Sequence, residues 1–187
     1  MDTIALDKVY KKVFGGKCGP MRYGEKTEEF QLGITTSLWE INKFATLGRT
    51  QRYISEKVKD EEWNVLPLEI YKKDNPGWSI TDESDYYFFF GPKYVYKVRS
   101  CWIYNLAEKI KEVIDAPSDI RKWIQKVNKY GTKTFTVNIL FGVPCLLTSF
   151  EVEVSVDKRN GLDVVVNVDW KLCANKLKMD IEKIKRS

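Results

Sequence analysis

The chain contains no histidine in 187 residues. That absence removes the imidazole general base, the Ser-His-Asp and Cys-His nucleophile systems, and the common zinc sites. Cysteine is sparse. Cys18, Cys101, Cys145 and Cys173 stand far apart and form no CxxC pair. Such spacing gives no disulfide framework, so the expectation is buried, reduced thiols in a cytoplasmic protein. No apolar run reaches the roughly 18 residues of a membrane span. The longest candidate, Val137 to Phe150, is interrupted by Asn138, Gly142 and Pro144. The first residues turn charged by Asp7 and Lys8, so no signal peptide is expected. Internal repeats and low-complexity segments are also lacking.

What is present is enough for a real core. Hydrophobic residues make up 43% of the chain, with 6 Trp, 10 Tyr and 9 Phe. One chain of this length buries roughly 70% of its unfolded surface without staples. The net charge of +5 is unevenly spread. Residues 93–133 carry ten basic and four acidic groups, and residues 171–187 carry six and two. Clustered positive charge favours a polyanion through counterion release.

Hydrophobic spacing predicts a short helix over residues 2–14, ending at Gly15-Gly16. Strands are expected at Phe30 to Thr35 and Leu38 to Lys43, joined by a hairpin at Thr36-Ser37. Thr50 to Val58 is compatible with a helix. Leu66 to Tyr71, Tyr86 to Phe90 and Tyr94 to Val98 are expected strands. Two amphipathic helices follow, over about 102–114 and from Ser118 to a stop at Gly131. Thr134 to Phe141, Leu147 to Val156 and Leu162 to Leu172 are strand-like, with a turn at Asp157 to Gly161. A last helix is expected over about 174–185, from the spacing of Leu177, Ile181 and Ile184. This order gives a mixed α/β (α+β) plan with one central sheet flanked by helices. Residues 134–187 either extend that sheet or form a small added lobe.

The chemistry-bearing residues gather around two expected strands. In an alternating strand Glu40 and Asn42 share a face and can meet Glu29 or Gln31 across the hairpin. Glu69 shares a face with Tyr71, and Ile70 with Lys72. Acids converging at a sheet edge can hold Mg²⁺, because hard cations prefer carboxylate oxygens. A neighbouring lysine can stabilise the charge of a phosphoryl transition state. Trp78, in a Gly-Trp turn, offers a flat surface for a base. Lys73, Lys122, Lys126, Lys129 and Lys133 are candidates for phosphate contacts.

The segment LEIYKKDNPGWSITDESDYYFFF, followed by KYVYKV and an amphipathic helix, resembles the PD-(D/E)XK nuclease superfamily in its phage and archaeal members. Thr81, Asp85 and Tyr86 fit the T-x-x-x-D-Y pattern of those proteins, and the resemblance covers roughly residues 2–115. It implies a restriction-endonuclease-like core over 1–131 with a β-hairpin and helix extension over 132–187. It also implies Glu40, Asn42, Glu69 and Lys72 as catalytic positions, and Glu29, Glu40 and Glu69 as Mg²⁺ ligands. The motif is degenerate. Glu40-Ile41-Asn42 carries an amide where the lysine belongs, and in Glu69-Ile70-Tyr71 the lysine, Lys72, comes one step late. The expectation is therefore a protein that binds DNA or another nucleic acid, with Mg²⁺-dependent endonuclease activity as its active form. The alternative is a catalytically inactive phage or mobile-element protein that binds a host protein.

Overall fold

The computed structural model describes residues 8–10, 12–13, 22–23, 41–47 and 50–186. Residues 8–10 and 12–13 are helical. The elements that follow are β1 (Arg22–Tyr23), β2 (Ile41–Leu47), β3 (Thr50–Val58), β4 (Val65–Lys72), β5 (Asn75–Pro76) and α1 (Trp78–Thr81). Next come β6 (Tyr86–Phe90), β7 (Tyr94–Arg99), α2 (Ser100–Asp115) and α3 (Asp119–Lys126). The chain ends with β8 (Tyr130–Phe141), β9 (Leu146–Asp157), β10 (Asp163–Asp169), α4 (Trp170–Asn175) and β11 (Ile181–Lys185). The class is α+β, as expected, but the strands form two sheets rather than one. A six-stranded sheet has the order β1-β2-β3-β6-β7-β11, and a five-stranded sheet has the order β5-β4-β10-β9-β8. No described helix is long and apolar enough to cross a membrane.

The chain divides into two compact units. Among the described residues, unit 1 takes those up to Glu62, Asp82–Ser100 and those from Glu182 onward; unit 2 takes Trp63–Thr81 and Cys101–Ile181. The expected division after residue 131 lies inside unit 2.

Unit 1 is built on the mixed sheet, in which β3 runs parallel to β6 and antiparallel to β2. The sequence YYFFF is explained by its place in the middle. Tyr87, Phe88, Phe89 and Phe90 on β6 are at most 1% exposed, so both faces of that strand are covered. One face packs Phe88 and Phe90 against Tyr10 of the N-terminal helical segment, with Ile54, Val95 and Ile184. Each such aromatic contributes about 1.5–3 kcal/mol by leaving water.

Unit 2 is an antiparallel sheet with helices on one face. The inner face is a continuous apolar surface: Leu66, Leu68 and Ile70 on β4, Val164, Val166 and Val168 on β10, with matching rows on β9 and β8. Helix α2 lies across it. At its start Trp102 meets Phe141 of β8 at 5.8 Å between rings, and at its end Asp115 meets Tyr71 of β4. Helix α3 packs Trp123 on Phe135 at 5.3 Å.

Several local expectations change. Thr50 to Val58 is strand β3, not helix; pairing on both sides overrides its helix-compatible spacing. The helix capped by Ser118 ends before Val127 rather than at Gly131. The Lys158 ammonium donates to the Ile124 and Val127 carbonyls at 2.6 and 2.8 Å, satisfying the helix end. Gly131 instead lies in β8, where Trp123 and Val127 fill the space a Cβ would occupy. The helix expected over 174–185 is absent. Asp169 caps the short α4, Lys178 takes φ 55°, and the chain continues as strand β11. Leu177 and Ile184 are buried, but a turn and a strand, not a helix, produce their spacing. The expected strands at 30–35 and 38–40 lie outside the described residues. Of the free cysteines described, only Cys173 is buried; Cys101 and Cys145 are exposed, against the expectation. Burial pushes the Cys173 thiol up to about 12.

A single glycine locks the β4 edge. The Gly77 N–H donates to the Ile70 carbonyl at 2.9 Å. A Cβ on Gly77 would stand 2.2 Å from the Glu69 carbonyl oxygen and 2.8 Å from Glu69 Cγ. The Glu69 backbone, paired in the β4–β10 ladder, leaves little room to yield. Gly77→Ala is expected to lower unfolding stability by about 2–3 kcal/mol. Chemical denaturation measures this, and a loss below about 0.5 kcal/mol, the range of neutral surface changes, would contradict the packing.

Candidate functional site

The site begins with a break in strand alternation. In the β4–β10 ladder Glu69 pairs with Val165 and Tyr71 pairs with Val164. Ile70 is therefore one residue more than its partner strand supplies, a β-bulge. Paired residues point to the same face, so Tyr71 joins Val164 on the inner face beside Ile70. Lys72 then returns to the outer face with Glu69. The uniform alternation expected from sequence placed Glu69 beside Tyr71 and Lys72 on the other side. The bulge corrects that grouping, because one inserted residue reverses every later side chain.

On the outer face the result is a compact charge cluster. Lys72 Nζ lies 3.5 Å from Glu69 Oε2 and 3.4 Å from Asp163 Oδ2. Partial burial would lower the Lys72 pKa, but the charges of Glu69 and Asp163 outweigh it and raise the value. The remaining carboxylate oxygens are also engaged. Glu69 Oε1 accepts from the Trp78 N–H at 3.4 Å, and Asp163 Oδ1 accepts from the Lys73 N–H at 2.6 Å. Asp163 sits opposite Asp157 on β9, which forms a bidentate pair with Arg159. Arg159 holds the Asp157 carboxyl down at about 2.

The turn that presents these groups is built for close approach. Lys73 and Asp74 have φ 49° and 67°, the pattern of a two-residue type I′ hairpin turn. Asp74 exchanges hydrogen bonds with Leu162, its N–H donating at 3.1 Å and its Oδ1 accepting at 3.3 Å. Gly161, at φ 103°, makes room: a Cβ there would meet Asp74 Oδ2 and Lys73 Cα at 3.0 Å.

On the inner face the bulge creates a second polar group. The Tyr71 hydroxyl donates to Asp115 Oδ1 at 2.5 Å, and Lys111 Nζ pairs with Asp115 Oδ2 at 2.6 Å. Lys111 also lies 5.5 Å from the Tyr71 ring centroid. Burial and the hydrogen bond to Asp115 raise the Tyr71 pKa. Burial would raise the Asp115 pKa, but its bonds to Lys111 and Tyr71 prevail and lower it.

The candidate residues thus fall into separate places. Glu69, Lys72, the Lys73 backbone and the Trp78 N–H come together on the outer face of unit 2. Trp78 is half-buried at the start of α1. Lys122, Lys126 and Lys129 belong to α3 and its exit, on the helix-covered face. Lys122 is 3.6 Å from Asp119; Lys126, Lys129 and Lys133 are exposed and have no ion-pair partner among the described residues. Glu29 and Glu40 lie outside the described residues, and of Asn42 only the backbone, in β2, is described. Asp85, singled out by the family pattern, accepts the Tyr53 N–H at 2.8 Å and stitches β6 to β3. Asp163, Asp157, Arg159 and the Tyr71–Asp115–Lys111 group were not anticipated. The DKRNG turn was visible, but nothing local said that it folds back onto the Lys73 turn.

Among the described residues no group of three or more acidic or thiol side chains can hold a metal ion. Within the Glu69–Lys72–Asp163 cluster two carboxylates face one ammonium, which leaves the cluster net negative. No protein-family model, curated protein or solved structure matches the chain.

The inner group generates a pH prediction. With its carboxyl depressed below the usual 3.8, Asp115 stabilises the fold above that pH, and the contribution is lost as pH falls through the depressed value. Asp115→Asn is expected to lower the thermal midpoint at neutral pH by about 2–4 °C. It is also expected to flatten the stability loss below about pH 4. An acid limb identical to wild type would contradict the assignment.

Proposed function

We propose that this chain binds nucleic acid, holding the phosphate backbone through the lysines of α3 and its exit into β8. The observation that carries this reading is the exposed set Lys126, Lys129 and Lys133, with no ion-pair partner among the described residues, beside Lys122. Unpaired exposed cations release condensed counterions from a polyanion, which is the main source of non-specific affinity. Lysine contacts of this kind position the backbone and do not read bases. DNA is the partner we propose first, in the cytoplasm, where thiols such as the exposed Cys101 and Cys145 stay reduced.

The relation to restriction-endonuclease-like proteins belongs to this proposal as well. Glu69 and Lys72 on one face support it, since acid and lysine then stand together as that superfamily requires. Both carboxylates of the cluster are held by Lys72, so hydrolysis there would require Mg²⁺ to displace that contact. One observation favours the alternative, a phage or mobile-element protein that engages a host protein. The β8–β9 hairpin exposes Leu140, Val143, Leu146 and Leu147 at 54%, 92%, 61% and 72%. Contiguous apolar exposure of that kind marks protein contacts.

A fluorescence titration against a short DNA duplex at increasing salt tests the proposal. Affinity is expected to fall log-linearly with salt, and the combined change Lys126→Ala, Lys129→Ala and Lys133→Ala should reduce the slope by about 3. No binding at about 50 mM salt would overturn the reading and favour the host-protein alternative. Plasmid incubated with Mg²⁺ or Mn²⁺ gives the enzymatic arm. Cleavage by wild type that is lost in Glu69→Ala would establish a metal-dependent nuclease.

A further inference from the structure

Strand β8 ends the five-stranded sheet, and among the described residues it pairs on one side only, with β9. Its twelve residues span roughly 40 Å of open edge. Isolated sheets protect such edges with charges, proline, bulges or short strands. Here a single charge, Lys133, is the one such device in place. The strand has no proline, its register with β9 runs unbroken from Tyr130 to Phe141, and Lys133 is its one charged residue.

We infer that β8 is a self-association edge, pairing antiparallel with β8 of a second copy about a two-fold axis at Phe135. The strand carries its own complement in that register. On the outer face Tyr130, 64% exposed, meets Leu140, 54% exposed, and by symmetry the pair occurs twice. An aromatic beside a branched aliphatic is a favourable cross-strand neighbour. Thr132 then faces Asn138, and Thr134 faces Thr136. On the inner face Lys133 meets Val137 of the other copy. The two Lys133 ammonium groups are offset by four residues, about 13 Å along the strand. That exceeds the ~8 Å Debye length at physiological salt, so charge does not oppose the pairing. The outcome is one continuous ten-stranded sheet with both helix layers on the same side. The edge also excludes a random partner to some degree, since its own residues satisfy one another in pairs.

The test uses sedimentation velocity on the full chain at about 0.15 M salt. Wild type is expected to sediment as a dimer at micromolar concentration. Thr134→Lys with Thr136→Lys sets two lysines opposite two lysines across the axis. Within each copy the same residues face Glu153 and Glu151 of β9, so the hairpin itself keeps favourable partners. This variant is expected to be monomeric with an unchanged or higher thermal midpoint. Leu140→Ser, at an exposed position, is expected to weaken the dimer about tenfold, and serves if the double variant does not fold. A monomeric wild type, or a dimer that survives both variants, overturns the inference.

Discussion

Between Glu69 and Tyr71, strand β4 carries one residue more than β10 can pair. The polar architecture at this end of unit 2 depends on that insertion. Ile70 and Tyr71 both turn toward the helices, so a hydroxyl reaches Asp115 at the end of α2. Lys72 is returned to the outer face, where Glu69 and Asp163 hold it. The bulge is itself held in place: the Ile70 carbonyl accepts the Gly77 N–H, and Gly77 sits so close to the Glu69 backbone that no side chain fits there. A bulge left unsupported would slip, because slipping restores a ladder pair; the hairpin turn and Gly77 together remove that option.

The consequence for function is a separation of charges by face. Acids hold Lys72 on the outer face and leave the cluster net negative, while lysines without an ion-pair partner among the described residues stand on and beside α3. A long polyanion meets less opposition at α3 than at the cluster, where Glu69, Asp157 and Asp163 outnumber Lys72 and Arg159. This is why we propose binding, rather than hydrolysis at Glu69, as the function. Exposed ion pairs such as Lys72 with Glu69 contribute little to stability individually, and their value here is in fixing the geometry of two turns.

Much of the fold was legible wherever one period governed a segment. The stripe Ile103, Leu106, Ala107, Ile110 and Ile114 marked α2, and the alternation Phe150, Val152, Val154 and Val156 marked β9. The DKRNG turn and the Ser118 cap were equally clear. What escaped depended on tertiary contacts. The end of α3 is set by Lys158, 31 residues after Val127 in the chain. The last segment alternates between turn and strand, yet its buried residues mimic a helical repeat. The division into two sheets follows from β4 pairing with β10, a partner nearly a hundred residues away, which no local pattern records. The candidate site was half legible for the same reason. Glu69 and Lys72 could be named from their residue types, but their faces could not, since a bulge leaves no mark in the sequence of a single strand.

The grouping of Tyr71 with α2 and of Lys72 with Glu69 stands or falls with the register of one ladder. Nuclear Overhauser contacts between β4 and β10 measure that register directly in solution. The expected result is cross-strand contacts joining Tyr71 to Val164 and Glu69 to Val165, with Ile70 lacking a partner of its own. Contacts joining Ile70 to Val164 and Tyr71 to Asp163 would describe an unbroken ladder and would contradict the account.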